Sequence, residues 1–139
     1  MDVTEAIRLL IVDGQPIVLE GLRHVLGQQS RIQIVGEAID GIEAIEKAVQ
    51  LDPDVLLMDL KLPRIDGLSV LRNVQTRAPR CKVILFASSD SKDDFVEAMK
   101  LGCCGILLKE ASPSLIEKSI VRVHGGEIWL DSNTTAAET

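Results

Sequence analysis

Short apolar runs alternate along this chain with longer stretches whose apolar residues recur at helical spacing. The runs Ile7–Val12, Arg31–Glu37, Asp54–Met58, Lys82–Ala87 and Cys104–Leu108 predict strands. Within them LLIV, VLLM and VILFA are apolar without alternation, as expected of strands covered on both faces. Between the strands, Ile17, Leu22, Val25 and Leu26 line one face of a first helix, with Pro16 suited to its first turn. Ile42, Ile45, Ala48 and Val49 do so for a second, Leu68, Leu71 and Val74 for a third, and Phe95, Ala98 and Met99 for a fourth. Leu115, Ile116, Ile120 and Val123 mark a fifth, opened by Ser112-Pro113-Ser114. Stop signals fall at Gly27, Pro53, Pro79, Gly102 and Gly125-Gly126.

Five strand-helix units in strict alternation predict an α/β domain, with a parallel sheet, helices on both faces and right-handed crossovers. There is no internal repeat and no low-complexity tract. The stretch DSNTTAAET, residues 131–139, is small and polar and reads as a linker or frayed end.

Composition narrows the class. The chain has 139 residues, enough for one domain with its own core, and is 46% hydrophobic and 26% charged. Its apolar runs are far shorter than a membrane span, and the acidic start Met1-Asp2-Val3-Thr4-Glu5 does not resemble a secretory leader. A net charge of −6 argues against this segment gripping phosphate backbones by itself. Cys81, Cys103 and Cys104 have no metal-ligand spacing, and an odd number without a leader suits a reducing cytoplasm. Burial explains them better than a redox role for Cys103-Cys104.

Open α/β sheets bind ligands beyond the carboxyl ends of their strands. The residues there are Asp13, Asp59, Ala87-Ser88-Ser89 and Lys109. A carboxylate can attack phosphorus and carry an aspartyl-phosphate, and a second helps hold Mg²⁺. A lysine offers a point charge to a phosphoryl oxygen. Singly, a strand-end Asp is more often a turn or cap residue, and a lysine there is usually solvated. Two Asp and one Lys at three strand ends are a more specific combination. Other sites fit poorly. There is no P-loop sequence, Gly36-Glu37-Ala38-Ile39-Asp40-Gly41 lacks dinucleotide spacing, and Lys61 stands where an Asp-based phosphatase needs a second acid. His24 and His124 have no partners at ligand spacing and read as surface residues.

The segments LLIVDGQPIVLEGL, DVLLMDLKLPRIDGL, KVILFASSD and GILLKEASPSLIEKSI resemble the receiver domain of two-component response regulators. The most specific block surrounds Asp59, with Pro63 and Asp66-Gly67. PIVLEGLRHVL and GGEIWLD are similar to the NarL/FixJ (LuxR-type) subfamily, whose receivers precede a helix-turn-helix domain. The resemblance implies a flavodoxin-like (CheY-like), doubly wound five-stranded sheet of order 2-1-3-4-5 with five helices, placing Asp13 beside Asp59. It implies a receiver over residues 1–126, with 127–139 a linker or tail leading toward a DNA-binding domain outside this chain. Asp59 is then the expected phosphoacceptor and Lys109 the phosphoryl contact. Asp13, Asp59 and the backbone carbonyl of Lys61 are the expected Mg²⁺ ligands. The expected partners are a histidine kinase and a second copy of the chain, with DNA reached only through the output domain and no membrane.

Three positions depart from the family pattern. Gly14 replaces the second acid of the metal-binding pair, Ala87 replaces the hydroxyl residue ending strand 4, and Ile106 replaces the aromatic switch. Losing a metal-ligating carboxylate costs at least the ~10–100-fold seen for outer-shell changes, so weak Mg²⁺ binding is expected. Ser88 is a candidate substitute hydroxyl. The amine of Lys61 could swing toward the carboxylates and replace part of the metal charge, although a solvated loop lysine is the simpler expectation. For pairing between copies, the fifth-helix face of Leu115, Ile116 and Ile120 is a candidate, against the simpler expectation that it packs on the sheet. Two functions stay open: a signalling phosphoacceptor that is not an enzyme, and a receiver acting by phosphorylation-independent protein interaction or dimerisation.

Overall fold

The computed structural model describes residues 5–130; residues 1–4 and the polar segment 131–139 lie outside the described residues. Six strands, β1 (Ile7–Val12), β2 (Ile32–Ala38), β3 (Val55–Met58), β4 (Lys82–Ala87), β5 (Gly105–Leu108) and β6 (Trp129–Leu130), form one parallel sheet. Its order is β2-β1-β3-β4-β5-β6. The helices are α1 (Pro16–Leu26), α2 (Gly41–Leu51), α3 (Gly67–Arg77), α4 (Phe95–Lys100) and α5 (Pro113–His124), with a 3-10 turn over Ser89–Asp94 leading into α4. The expected order 2-1-3-4-5 holds. Beyond it, Trp129 and Leu130 pair with Gly105 and Ile106, adding a short edge strand where only a linker was expected.

The central strands are fully apolar because each face meets a separate core. One joins Leu10, Leu56, Met58, Leu85 and Ile106 to α2, α3 and α4, and the other joins Leu9, Ile11, Leu57, Ile84 and Leu107 to α1 and α5. Local signals start the helices. The Asp40 carboxylate accepts the Glu43 N–H at 2.8 Å while the Glu43 carboxylate accepts the Ile39 N–H at 2.9 Å, a reciprocal cap on α2. Asp66 caps α3 through the Ser69 N–H, and Ser112 caps α5 through the Leu115 N–H.

Several predicted helix faces are rotated. In α1, Ile17 is 74% exposed and Leu19 takes the inward position. In α2, Val49 is exposed and Ile42 half-buried, while Gly41, Ala44, Ile45 and Ala48 pack inward. Gly41 is required there: a Cβ would lie 2.2 Å from the Ile65 carbonyl oxygen. On α5, Ile116 and Ile120 are buried against the sheet, so only Leu115 of the candidate pairing face is exposed. Both histidines are exposed. Cys81 and Cys103 are buried, and burial pushes both thiols up to about 12, which leaves neither as a reactive thiolate. No helix among the described residues is long and apolar enough to cross a membrane.

Candidate functional site

Sheet register brings the strand-end residues together. Val12 pairs with Met58, so the next residues, Asp13 and Asp59, leave the sheet side by side. Ala87 pairs with Leu108, and the Lys109 N–H then donates to the Ala87 carbonyl at 3.0 Å. From that position the Lys109 ammonium donates to Asp59 Oδ2 at 2.7 Å and to Asp13 Oδ2 at 2.9 Å. The other oxygens are also engaged: Asp13 Oδ1 accepts the Gln15 N–H at 2.9 Å, and Asp59 Oδ1 accepts the Lys61 N–H at 3.1 Å. Three residues from the ends of β1, β3 and β5 therefore form one hydrogen-bonded cluster.

Asp13 is 1% exposed, and only its partners make burial of its charge tolerable. For Lys109, burial works against the charged amine, but hydrogen bonds to Asp59 and Asp13, reinforced by their charges, outweigh it and raise its pKa above the ordinary 10.5. The amine also lies 5.8 Å from the centroid of the Phe86 ring, within cation–π range. Asp59 remains reachable, with 13% of its side chain exposed. Carboxylate and ammonium are thus preorganised where a phosphoryl group could arrive.

The departures have structural counterparts. Beside Gly14 the space is closed: a Cβ there would sit 2.9 Å from Pro63 Cδ and 3.3 Å from its Cγ. Ala87 is fully buried and Ile106 almost so, so neither offers a hydroxyl or a mobile ring at the site. Ser88 follows β4 by one residue, and its hydroxyl donates to the Asp90 carboxylate, not to Asp59. Lys61 sends its amine to Asp90 as well, 3.1 Å from Oδ2. Its exposed amine is therefore paired with Asp90 and not with Asp13 or Asp59, although its backbone N–H donates to Asp59. Asp90 had no distinguishing mark in the sequence, because an acid at the start of a helical turn is ordinary. Its carboxyl is held below the usual range by the Ser88 hydrogen bond first and by Lys61 second.

Receivers typically bind Mg²⁺, and the donor set here does not fit such a site well. Gly14 supplies no oxygen ligand on its side chain, Pro63 crowds the position, and all four oxygens of Asp13 and Asp59 already accept N–H donors. Among the described residues, no group of three or more His, Cys, Asp or Glu side chains could hold a metal. A cleft of about 520 Å³ opens beside the cluster, lined by Gly14, Gln15, Lys61, Pro63, Asp66 and Asp94 among others.

The arrangement has known counterparts. Residues 9–121 match the family model of the response regulator receiver domain. The chain is 32% identical over 131 residues to the nitrate/nitrite response regulator NarL of Escherichia coli K12, covering 94% of this chain and 61% of that protein. It is similar in structure to the signal receiver domain of a NarL response regulator from Mycobacterium tuberculosis, with a TM-score of 0.84, 30% identity, and coverage of 88% of this chain and 99% of that one. It is also similar to the isolated receiver domain of RcsB from Salmonella enterica, solved with the phosphomimetic BeF3−. There the TM-score is 0.86 with 25% identity, over 95% of this chain and 98% of that one. The chain spans about three fifths of the length of the curated relatives it matches, 61% for the first two. Register, cluster and matches agree: this chain belongs to the response regulator receiver domain family and is similar to NarL/LuxR-type regulators.

Proposed function

We propose that this domain accepts a phosphoryl group on Asp59 from a histidine kinase and passes that state to a transcriptional output domain. The observation that carries the reading is the Lys109 ammonium bridging Asp59 and Asp13 at 2.7 and 2.9 Å. One Asp59 oxygen attacks phosphorus in line as the bond from phosphorus to the donor histidine nitrogen breaks. That nitrogen takes a proton from solvent. Lys109 stabilises the charge gathering on the phosphoryl oxygens, and Asp13 keeps the amine in place. Relatives support the wider reading: RcsB has been solved as dimers bound to DNA, and NarL is a nitrate/nitrite response regulator. For this chain, pairing of copies and control of DNA through residues beyond it follow by the same likeness.

A second reading rests on specific observations. Ala87 and Ile106 are sealed in the core, and Gly14 is crowded by Pro63, so the parts that usually couple the site to the surface are missing. On that reading the domain is an interaction or dimerisation module with Asp59 kept for structure. Incubation with acetyl phosphate, followed by intact-mass measurement, separates the two. The expected result is a phosphate adduct on the native chain that disappears in Asp59→Asn. A native chain that takes up no phosphate would leave the second reading standing.

A further inference from the structure

The charge balance of the site points to a specific cation. Asp13 and Asp59 carry two negative charges and Lys109 one positive charge, so the cluster as built has one net negative charge. A phosphoryl group on Asp59 makes this more negative by up to about one charge. With an acid in place of Gly14 the cluster would carry two net negative charges, which a divalent metal matches. With glycine there, the unphosphorylated cluster keeps one net negative charge, so a single lysine restores the same balance that a divalent metal gives the acid-bearing cluster.

That lysine is in place. The Lys61 backbone N–H already donates to Asp59 Oδ1 at 3.1 Å, so its side chain begins beside the acceptor carboxylate. Its amine reaches Asp90 Oδ2 at 3.1 Å, with both side chains well exposed to water. An exposed ion pair of this kind is weak and exchanges readily. The Ser88 hydroxyl holds Asp90 independently, so Asp90 keeps a partner when the amine leaves. Pro63 meanwhile crowds the position from which a second metal-ligating acid would project.

We propose that Lys61 supplies the cation that a metal ordinarily supplies: its amine leaves Asp90 and donates to a phosphoryl oxygen on Asp59, and phosphorylation of this domain does not depend on Mg²⁺. The inference rests on the reading of Asp59 as phosphoacceptor. In the step itself, an Asp59 oxygen forms the new bond to phosphorus and the bond to the donor's leaving group breaks; a leaving nitrogen takes a proton from solvent, whereas acetate leaves as the anion. Lys61 stays protonated throughout and only donates hydrogen bonds. It contacts the transferred group directly, and Asp90 is the positioning residue that parks the amine.

The test compares the native chain with Lys61→Gln, Lys61→Arg and Asp90→Asn, all at exposed positions. Each is incubated with phosphoramidate or acetyl phosphate, in excess EDTA or in Mg²⁺, and adduct formation is followed by intact mass. Beryllofluoride binding in EDTA is followed in parallel by fluorine NMR. The native chain is expected to react in EDTA within about threefold of its rate in Mg²⁺. Lys61→Gln should lose at least about tenfold in EDTA, in line with removal of one oxyanion donor. Lys61→Arg should keep most of the rate, and Asp90→Asn should raise it by freeing the amine. Strict dependence on Mg²⁺, or a Lys61→Gln rate equal to the native rate in EDTA, overturns the proposal. If the native chain takes no phosphoryl group from either donor under either condition, the phosphoacceptor reading fails by itself. Beryllofluoride then decides for Lys61: a bound signal in EDTA that vanishes in Lys61→Gln supports its role, and no bound signal overturns it.

Discussion

Arg64 sits at φ 74°, a left-handed conformation that costs an L-residue about 1–2 kcal/mol. It lies in the loop between β3 and α3, where its side chain is exposed near Asp40, Glu43 and Glu46. Exposed charges contribute about 0–1 kcal/mol at most, so little holds the arginine there except the path of the loop. Glycine adopts the same backbone freely but loses about 0.5–1 kcal/mol more entropy on folding. The balance favours glycine: Arg64→Gly should stabilise the domain by about 0.5 kcal/mol, seen as a higher urea midpoint with an unchanged slope. A lower midpoint would mean that the guanidinium makes a contribution its exposure does not suggest. The same scale explains what could be read of the site. Asp13, Asp59 and Lys109 were legible because each directly follows an apolar strand, where position alone predicts proximity. The role of Asp90 was not legible, since its hydrogen bonds from Lys61 and Ser88 arise from how two loops approach each other.

Among the elements, the strands were the most legible and the helix faces less so. Buried parallel strands must be apolar throughout, so LLIV, VLLM and VILFA left little choice. A helix face is set by what it meets. Ala44 belongs to the inward face of α2 because that helix packs close to the sheet and to the loop at Ile65, a tertiary fact that favours small residues over Val49. The strand β6 was missed for a related reason: two residues carry no periodicity, and their strand character comes only from pairing with β5. That pairing depends on Gly105, where a Cβ would lie 3.3 Å from both the Trp129 Cβ and its carbonyl oxygen. A branched side chain there has no room while the edge strand is docked. Gly105→Val should therefore displace β6 and destabilise the domain by about 1–3 kcal/mol through overpacking. The chain has one tryptophan, so its emission reports on this strand alone and should shift to the red. An unshifted emission in a variant of native stability would show that β6 tolerates the extra volume.

For the whole molecule, the charged cluster is also a tie across the sheet. Lys109 extends from the end of β5, contacts β4 through its backbone, and reaches past it to the carboxylates that end β3 and β1. Removing the amine would leave two negative charges facing each other, one of them on the almost fully buried Asp13. Breaking a buried ion pair from one side costs about 3–5 kcal/mol, and because Lys109 retains some exposure the lower end applies. Lys109→Met should thus lower stability at neutral pH by about 3 kcal/mol, measured by urea unfolding. The pH dependence follows from the direction of the lysine shift. The pKa of Lys109 is raised above 10.5 in the folded chain, so folding favours the protonated amine, and its contribution is fully present below about 10.5. It is lost as the pH rises through the higher folded value. The stability gap between native chain and Lys109→Met should accordingly stay constant from neutral pH to about 10 and narrow only in stronger alkali. A gap that already closes between pH 7 and 9 would mean that the amine is not held charged by Asp13 and Asp59. In that case the phosphoryl contact assigned to Lys109 would lose its physical basis, because a neutral amine cannot stabilise the charge of the transferred group.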